Sequence, residues 1–308
     1  MADIVITEFL DENALRAIPA KYSVLYDAKL VDRPDDLKRE VAQCRALVVR
    51  NRTQVRGPLL ASAAQLQVVG RLGVGLDNID MDACAARNIA VFPASGANDL
   101  SVAEWVICNA MMLLRGAYFA TPELIAGTWP RNRLIGRELS GKVMGLVGYG
   151  AIAQEVAKRA DALGMACIAF DPFLDDDHPA WTLAQRHGLE PLLREADVVS
   201  LHVPLNASTA NMMDAVRLKR MKRDAVLLNA ARGGVVDEVA LAAALRAGEL
   251  GGAALDVFDE EPLSRTSGAV FSGCPNLILT PHIAGVTQES NVRVSHVTVA
   301  NILKVLEA

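Results

Sequence analysis

Residues 141–164 read GKVMGLVGYGAIAQEVAKRADALG, and they limit the fold of this chain more tightly than any other segment. An apolar run ends in a glycine turn, then a helical pattern places Ile152, Val156, Ala160 and Leu163 on one face. Gly148, Gly150 and Ala153 form G-x-G-x-x-A in that strand, turn and helix setting. The first glycine permits the tight turn and the second lets backbone approach a pyrophosphate. The small third residue lets helix and strand pack closely. Amide groups at the helix start have no acceptor within the helix and favour an anion. A second apolar run, MACIAFD, ends at Asp171, about twenty residues beyond Gly150. A carboxylate there can accept hydrogen bonds from both ribose hydroxyls and repels a 2′-phosphate. Asp175, Asp176 and Asp177 add to the negative potential. The segment predicts a dinucleotide-binding fold that takes NAD rather than NADP.

The rest of the chain repeats the same alternation of short apolar runs and amphipathic helical stretches, the mark of parallel sheets with crossover helices. Its 308 residues suffice for two domains with separate cores. Strands are predicted at 4–7, 24–26, 46–49, 66–69 and 90–92, with helices at 35–43 and 80–87 between them. A second series follows at 143–147, 165–170, 198–203, 225–228, 253–257 and 277–279. Six strands make a full doubly wound nucleotide fold. Between the series, NDLSVAEWVICNAMMLL predicts a long helix capped by Ser101 with Glu104, its methionines packing rather than binding a ligand. The tail from 289 predicts one amphipathic helix.

In an open parallel sheet the ligand lies beyond the carboxyl ends of the strands. Three late strands end in chemically loaded residues: AVLLNAARGG in Arg232, GAALDVFDEEP in Glu261 and LILTPHIAG in His282. A guanidinium can grip a carboxylate in a bidentate fork and polarise an adjacent carbonyl. An imidazole can pass a proton to or from a hydroxyl, and a carboxylate on its far nitrogen fixes the tautomer. The trio suits hydride transfer between NAD and a 2-hydroxy or 2-oxo acid. A net charge of −5 gives no global attraction to nucleic acid or anionic membrane. Five scattered cysteines without metal-ligand spacing predict reduced thiols in a cytoplasm and no metal site. Asp3 and Glu8 stand where a signal peptide needs a basic start and an apolar core, and no apolar run reaches about 20 residues, the length of a membrane span.

The motifs GRLGVGLDNID, SVAEWV, GYGAIA, HVPL, NAARGGVVDE, ALDVFDEEP and TPHIAG resemble those of the D-2-hydroxyacid dehydrogenase family over nearly the whole chain. The resemblance implies an α/β protein of two doubly wound parallel-sheet domains. A Rossmann NAD domain, 99–283, is inserted into a flavodoxin-like substrate-binding domain made of 1–98 and 284–308. It implies a homodimer paired through the long-helix region. It implies that Ala151 and Ile152 join Gly148 and Gly150 at the pyrophosphate. Val203, Pro204, Thr209, Ala230 and Gly285 would lie along the cofactor, and Asp256 would meet the carboxamide. Backbone at Val74 and Gly75 would meet the substrate carboxylate. Ala153 stands where the family pattern has glycine, and Glu261 where formate-oxidising relatives have glutamine.

VVRNRTQVRG places Arg50, Arg52 and Arg56 just after a strand. Relatives similar to phosphoglycerate dehydrogenase use such a segment to hold a distal phosphate, so the substrate is expected to have a second anionic end. The text DIVITEF, LVDRP, RNRTQV, DPFL and HIAGVTQESNVRVS is most similar to the sulfolactate dehydrogenase branch. That makes 3-sulfolactate the expected substrate, with 3-phosphoglycerate, hydroxypyruvate or glyoxylate as alternatives. A count of arginines does not separate sulfonate from phosphate. A non-catalytic NAD-sensing protein also keeps the trio, but the substrate-side arginines favour the enzyme. Trp129, Arg131 and Arg133 are candidates for a subunit boundary.

Overall fold

The computed structural model describes residues 2–308. Two compact units divide the chain: residues 99–285, and the residues on either side of them. The divisions fall after Asn98 and after Gly285, the second two residues later than predicted.

In the outer unit, β1 (Ile4–Ile6), β2 (Val24–Tyr26), β3 (Ala46–Val49), β4 (Val68–Arg71) and β5 (Ala90–Pro93) form a parallel sheet in the order β2-β1-β3-β4-β5. This is the flavodoxin-like order, whose reversal of direction lies between β1 and β3. The strands are short aliphatic runs because both faces are covered. Val5, Leu47, Val49 and Val69 enter one core, while Ile4, Ile6, Ala46, Val48 and Val68 enter the other. The helix Gln288–Leu306 closes the second core with Val294, Val299 and Ile302, and Thr287 with Ser290 caps its start reciprocally. Gly70 lets this helix lie flush on β4. A Cβ there would stand 2.7 Å from methyl carbons of both Ile302 and Thr298.

In the inner unit, β6 (Val143–Val147), β7 (Ala166–Phe170), β8 (Gln185–Arg186), β9 (Val198–Leu201), β10 (Val226–Asn229), β11 (Gly252–Leu255) and β12 (Leu277–Leu279) form a second parallel sheet. Their order is β12-β11-β10-β9-β6-β7-β8, with the reversal between β6 and β9. Val147, Val199, Leu201, Leu227 and Ala253 pack on one face; Met144, Leu146, Val198, Leu228 and Ala254 pack on the other. The seventh strand, β8, is two exposed residues with no apolar run to announce it. Strands β9 and β11 stop two residues short of their predicted ends, because His202 and Asp256 begin the loops of the site. The long helix runs Asp99–Arg115, so Ser101 is buried in its first turn rather than capping it. Val102, Val106, Leu113 and Leu114 form its buried side, while Met111 is exposed. Among the described residues no single helix is long and apolar enough to cross a membrane.

The contact at Gly70 gives a direct check on the outer core. Gly70→Ala forces Ile302 and Thr298 to shift and is expected to destabilise the protein by about 1–3 kcal/mol. Urea unfolding followed by circular dichroism measures it, and an unchanged midpoint contradicts the packing described.

Candidate active site

Gly148, just past β6, has φ +85°, and a Cβ there would lie 2.7 Å from the His202 carbonyl oxygen. Only glycine meets both demands. Two residues on, Gly150 starts the helix Ala151–Ala162 with no side-chain cap, and a Cβ on it would meet nothing within 4 Å. The first-turn amides, those of Ala151 and Ile152 among them, therefore open onto space at the positive end of the helix dipole. Such a cradle fits a pyrophosphate. Ala153 is fully buried against the sheet, so a small residue suffices there. Asp171, just past β7, accepts from the Tyr149 amide through Oδ2 at 2.9 Å and from the Phe173 amide through Oδ1 at 2.9 Å. Two amides thus aim its carboxylate, and each oxygen retains capacity for a ribose hydroxyl. These residues fit NAD.

Sequence reasoning did not find what steadies this edge. The Tyr149 ring stacks on Trp181 with centroids 5.1 Å apart, and the Trp181 indole N–H donates to the Asp175 carbonyl at 2.8 Å. The acidic run after Asp171 is tied back to the glycine turn in this way. Val203 and Pro204 follow His202, and Thr209 closes their turn, its hydroxyl donating to the Pro204 carbonyl at 2.6 Å. Ala230 and Gly285 are half-buried at the ends of β10 and of the His282 loop.

The histidine that follows Thr280-Pro281 owes its placement to Asp256. This aspartate is 1% exposed at the end of β11. Its Oδ1 accepts from the Thr280 hydroxyl at 2.5 Å and the Ile283 amide at 2.9 Å, and its Oδ2 accepts from the Ala284 amide at 2.8 Å. The Asp256 carbonyl takes the His282 amide at 2.8 Å. Trp105 buttresses the same point, its indole N–H 3.1 Å from the Thr280 hydroxyl. His282 is thereby held at φ 54°, a left-handed conformation that costs a non-glycine residue about 1–2 kcal/mol. Its Nδ1 lies 2.7 Å from Glu261 Oε2, and the two side chains are 45% and 33% exposed. Nε2 is the ring nitrogen that Glu261 does not engage. Burial works to raise the Glu261 pKa, but the bond to His282, the Phe258 amide and the charges of His282 and Arg232 outweigh it. The net direction is below the ordinary carboxylate value, so Glu261 is ionised at neutral pH.

Arg232 sits on a turn locked to the Glu261 loop. Asn229 accepts from the Ala231 amide at 3.0 Å and donates to the Arg232 carbonyl at 2.9 Å. A Cβ on Gly233 would collide with the Phe258 carbonyl oxygen at 1.8 Å. Asp259 accepts from the Gly234 amide at 2.6 Å, and its own amide donates to Glu238 at 2.9 Å. Three loops thus bring guanidinium, carboxylate and imidazole together. Asn229 and Asp259 were missed because nothing in their spacing distinguishes them from ordinary turn residues. Among the described residues no cluster of His, Cys, Asp and Glu could hold a metal ion.

The arginine-bearing segment belongs to the outer unit. The Arg50 guanidinium donates to Asn291 at 3.0 Å. Arg52 makes an exposed ion pair with Asp32, and Arg56 turns to the Asp77 carbonyl. Val74 is 37% exposed and Gly75 half-buried, in the turn after β4.

His202, between β9 and the glycine turn, gives the site a titration of its own. Its Nε2 lies 2.9 Å from the Ser200 hydroxyl, and burial pushes the imidazole down from 6.5 to about 4. The folded protein keeps this ring neutral, whereas the unfolded chain protonates it near 6.5. The contribution of this group to stability is therefore complete above pH 6.5 and is lost as the pH falls toward 4. His202→Gln is expected to lose less stability than wild type between pH 7 and about 4.5. Urea midpoints at both pH values measure this, and parallel losses contradict it.

The model of the D-isomer specific 2-hydroxyacid dehydrogenase NAD-binding domain matches residues 107–284. The chain is 53% identical to the (S)-sulfolactate dehydrogenase of Chromohalobacter salexigens over 99% of both proteins. It is 35% identical to the D-3-phosphoglycerate dehydrogenase of Archaeoglobus fulgidus over 97% of this chain, but spans only 56% of that relative. The crystal structure of D-lactate dehydrogenase from Aquifex aeolicus, complexed with NAD and lactic acid, matches with a TM-score of 0.86 at 26% identity, covering 99% of this chain and 95% of that one. The chain therefore belongs to the D-isomer specific 2-hydroxyacid dehydrogenases, enzymes that use NAD.

Proposed function

We propose that the protein interconverts (S)-3-sulfolactate and 3-sulfopyruvate with NAD. The pairing of His282 with ionised Glu261, beside Arg232, carries the reaction. The 53% identity to an (S)-sulfolactate dehydrogenase and the arginines after β3 support the substrate. The stereochemistry agrees. A sulfur-bearing carbon outranks a carboxyl in the priority rules, so the (S) label on sulfolactate describes the same handedness as D in lactate.

NAD held at the glycine turn would supply the acceptor for the hydride at C2 of the hydroxy acid, and NADH the donor in the reverse direction. Arg232 grips the substrate carboxylate and draws electron density from the developing carbonyl. One hydrogen bond from its Nη1 to the Ala231 carbonyl at 2.6 Å sets its direction. Neutral His282 takes the hydroxyl proton on Nε2, because Nδ1–H is committed to Glu261. The imidazolium that results lies against the Glu261 carboxylate, and in reduction it gives the proton back to the carbonyl oxygen. By the family resemblance, backbone at Val74 and Gly75 is assigned to the substrate carboxylate, and Arg50 and Arg52 to the sulfonate. Gly148, Gly150, Ala151 and Ile152 receive the pyrophosphate and Asp171 the ribose. Val203, Pro204, Thr209, Ala230 and Gly285 lie along the cofactor. Asp256 Oδ2 keeps an acceptor position beyond the Ala284 amide, compatible with a carboxamide contact.

A homodimer is part of this reading. Ile125, Trp129 and Ile135, between the long helix and β6, are 83%, 79% and 77% exposed, an apolar surface suited to a second copy. A cytoplasmic setting is consistent with five free cysteines.

Two measurements test the proposal. His282→Ala is expected to lower kcat by about 10³-fold while NADH affinity, read by fluorescence titration, stays within about twofold. Near-normal turnover in that variant rejects the assignment. For the substrate, 3-sulfolactate, 3-phosphoglycerate and glycerate are each assayed with NAD and NADP. The kcat/KM for 3-sulfolactate with NAD is expected to exceed every other combination by about tenfold or more, a gap of about 1.4 kcal/mol. A preference for 3-phosphoglycerate sinks the sulfolactate reading but leaves the dehydrogenase.

A further inference from the structure

Glu8 lies two residues beyond β1, and the arginine segment begins directly after β3, the neighbouring strand across the reversal of the outer sheet. Ligands of doubly wound folds collect at such a reversal. The Glu8 side chain is not directed to solvent. It is 5% exposed, and its carboxylate accepts three backbone amides of the arginine segment: Arg50 at 2.9 Å and Thr53 at 3.1 Å on Oε1, and Arg52 at 3.3 Å on Oε2. Buried Asn78 supplies the complementary half, donating to the carbonyls of Arg50 at 3.0 Å and Thr53 at 2.7 Å. The Thr7 and Thr53 hydroxyls, 2.8 Å apart, pin the far end.

The backbone of this turn is thus over-determined, while the Arg52 guanidinium is held lightly and that of Arg50 donates to Asn291 at 3.0 Å. Arg52 pairs with Asp32 where both side chains are about half exposed, 56% and 48%, and such pairs contribute little. A buried carboxylate is an expensive way to cap a surface turn. It is well suited to a turn that must present two positive charges in fixed register. Burial works against the charge on Arg50, and the nearby Glu8 carboxylate works for it.

We propose that Glu8 is a positioning residue for the distal anion of the substrate, holding the turn at 50–53 from beneath so that Arg50 and Arg52 act as one anion clamp. This rests on the reading of those arginines given under the proposed function. Glu8→Gln keeps the size of the side chain but turns an amide N–H₂ toward at least one backbone N–H, so the turn loses its register.

The test compares wild type, Glu8→Gln and the double variant Arg50→Ala/Arg52→Ala on 3-sulfolactate and on glycerate, which has no distal anion. Glu8→Gln is expected to raise KM for 3-sulfolactate about tenfold, with kcat for it and KM for glycerate each within about twofold. Equal shifts on both substrates, or none on either, overturn the proposal. The double variant is expected to raise KM for 3-sulfolactate at least as far. If it does and Glu8→Gln does not, the arginine reading stands and the role of Glu8 falls. If the double variant handles 3-sulfolactate as wild type does, the arginine reading itself fails and takes the Glu8 proposal with it. Should circular dichroism show Glu8→Gln to be unfolded, Glu8→Asp takes its place. That variant keeps the charge one methylene short, with a smaller rise confined to 3-sulfolactate expected and a rise shared by both substrates overturning the proposal.

Discussion

The carboxylate of Asp256 is the constraint on which the chemistry of the inner unit depends. It is buried at the end of β11 and gathers a hydroxyl and two amides from the turn that follows β12. Hydrogen bonds of this kind contribute about 1.5–3 kcal/mol each when one partner is charged, more than the left-handed backbone of His282 costs. The imidazole therefore stands at a fixed place and angle before any ligand arrives. Glu261 then needs only to reach Nδ1, and its own loop is fixed by the Phe258 amide and by the collision-tight fit of Gly233. Preorganisation of this sort suits the proton transfer proposed for His282, because the donor must not search for its partner during the reaction.

The two units solve the same problem by the same means. Each sheet reverses direction once, between β6 and β9 in one and between β1 and β3 in the other. At the inner reversal, Gly148 and the His202 carbonyl pack so closely that no side chain fits between them. At the outer reversal, Glu8 and Asn78 saturate the turn carrying the arginines. One uses the absence of a side chain to make room; the other uses buried polar side chains to set a backbone. Both leave a rigid rim at the carboxyl ends of parallel strands.

Much of this was legible in the order of residues. Aliphatic runs such as ALVV and VLLN announce strands buried on both faces, and the glycines at 148 and 150 announce the turn they make. Arg232, Glu261 and His282 stand out because each follows such a run. What could not be read was cooperation between turns. Asp256 looks like any acid after a strand, Asp259 like any loop acid, and Trp181 like a lone aromatic beyond an acidic stretch. Their roles depend on which loop lies opposite, and spacing along the chain does not encode that. The strand β8 escaped for a different reason, having too few residues to form a pattern. The misplaced start of the long helix shows local capping chemistry losing to burial, since Ser101 is 5% exposed in the first turn.

The helix Gln288–Leu306 carries a consequence for biogenesis. It supplies Val294, Val299 and Ile302 to a core whose other walls are the strands near the amino terminus. During translation those strands emerge first and wait, with one apolar face uncovered, until the whole inner unit has been made. The inner unit, contiguous in sequence, can complete its own core in the meantime. Order of synthesis and order of consolidation thus run opposite to each other for the first ninety-odd residues. The strands that precede the inner unit thus stay without their covering helix until residues 288–306 have been made, and an apolar face left open in this way is what a chaperone would shield.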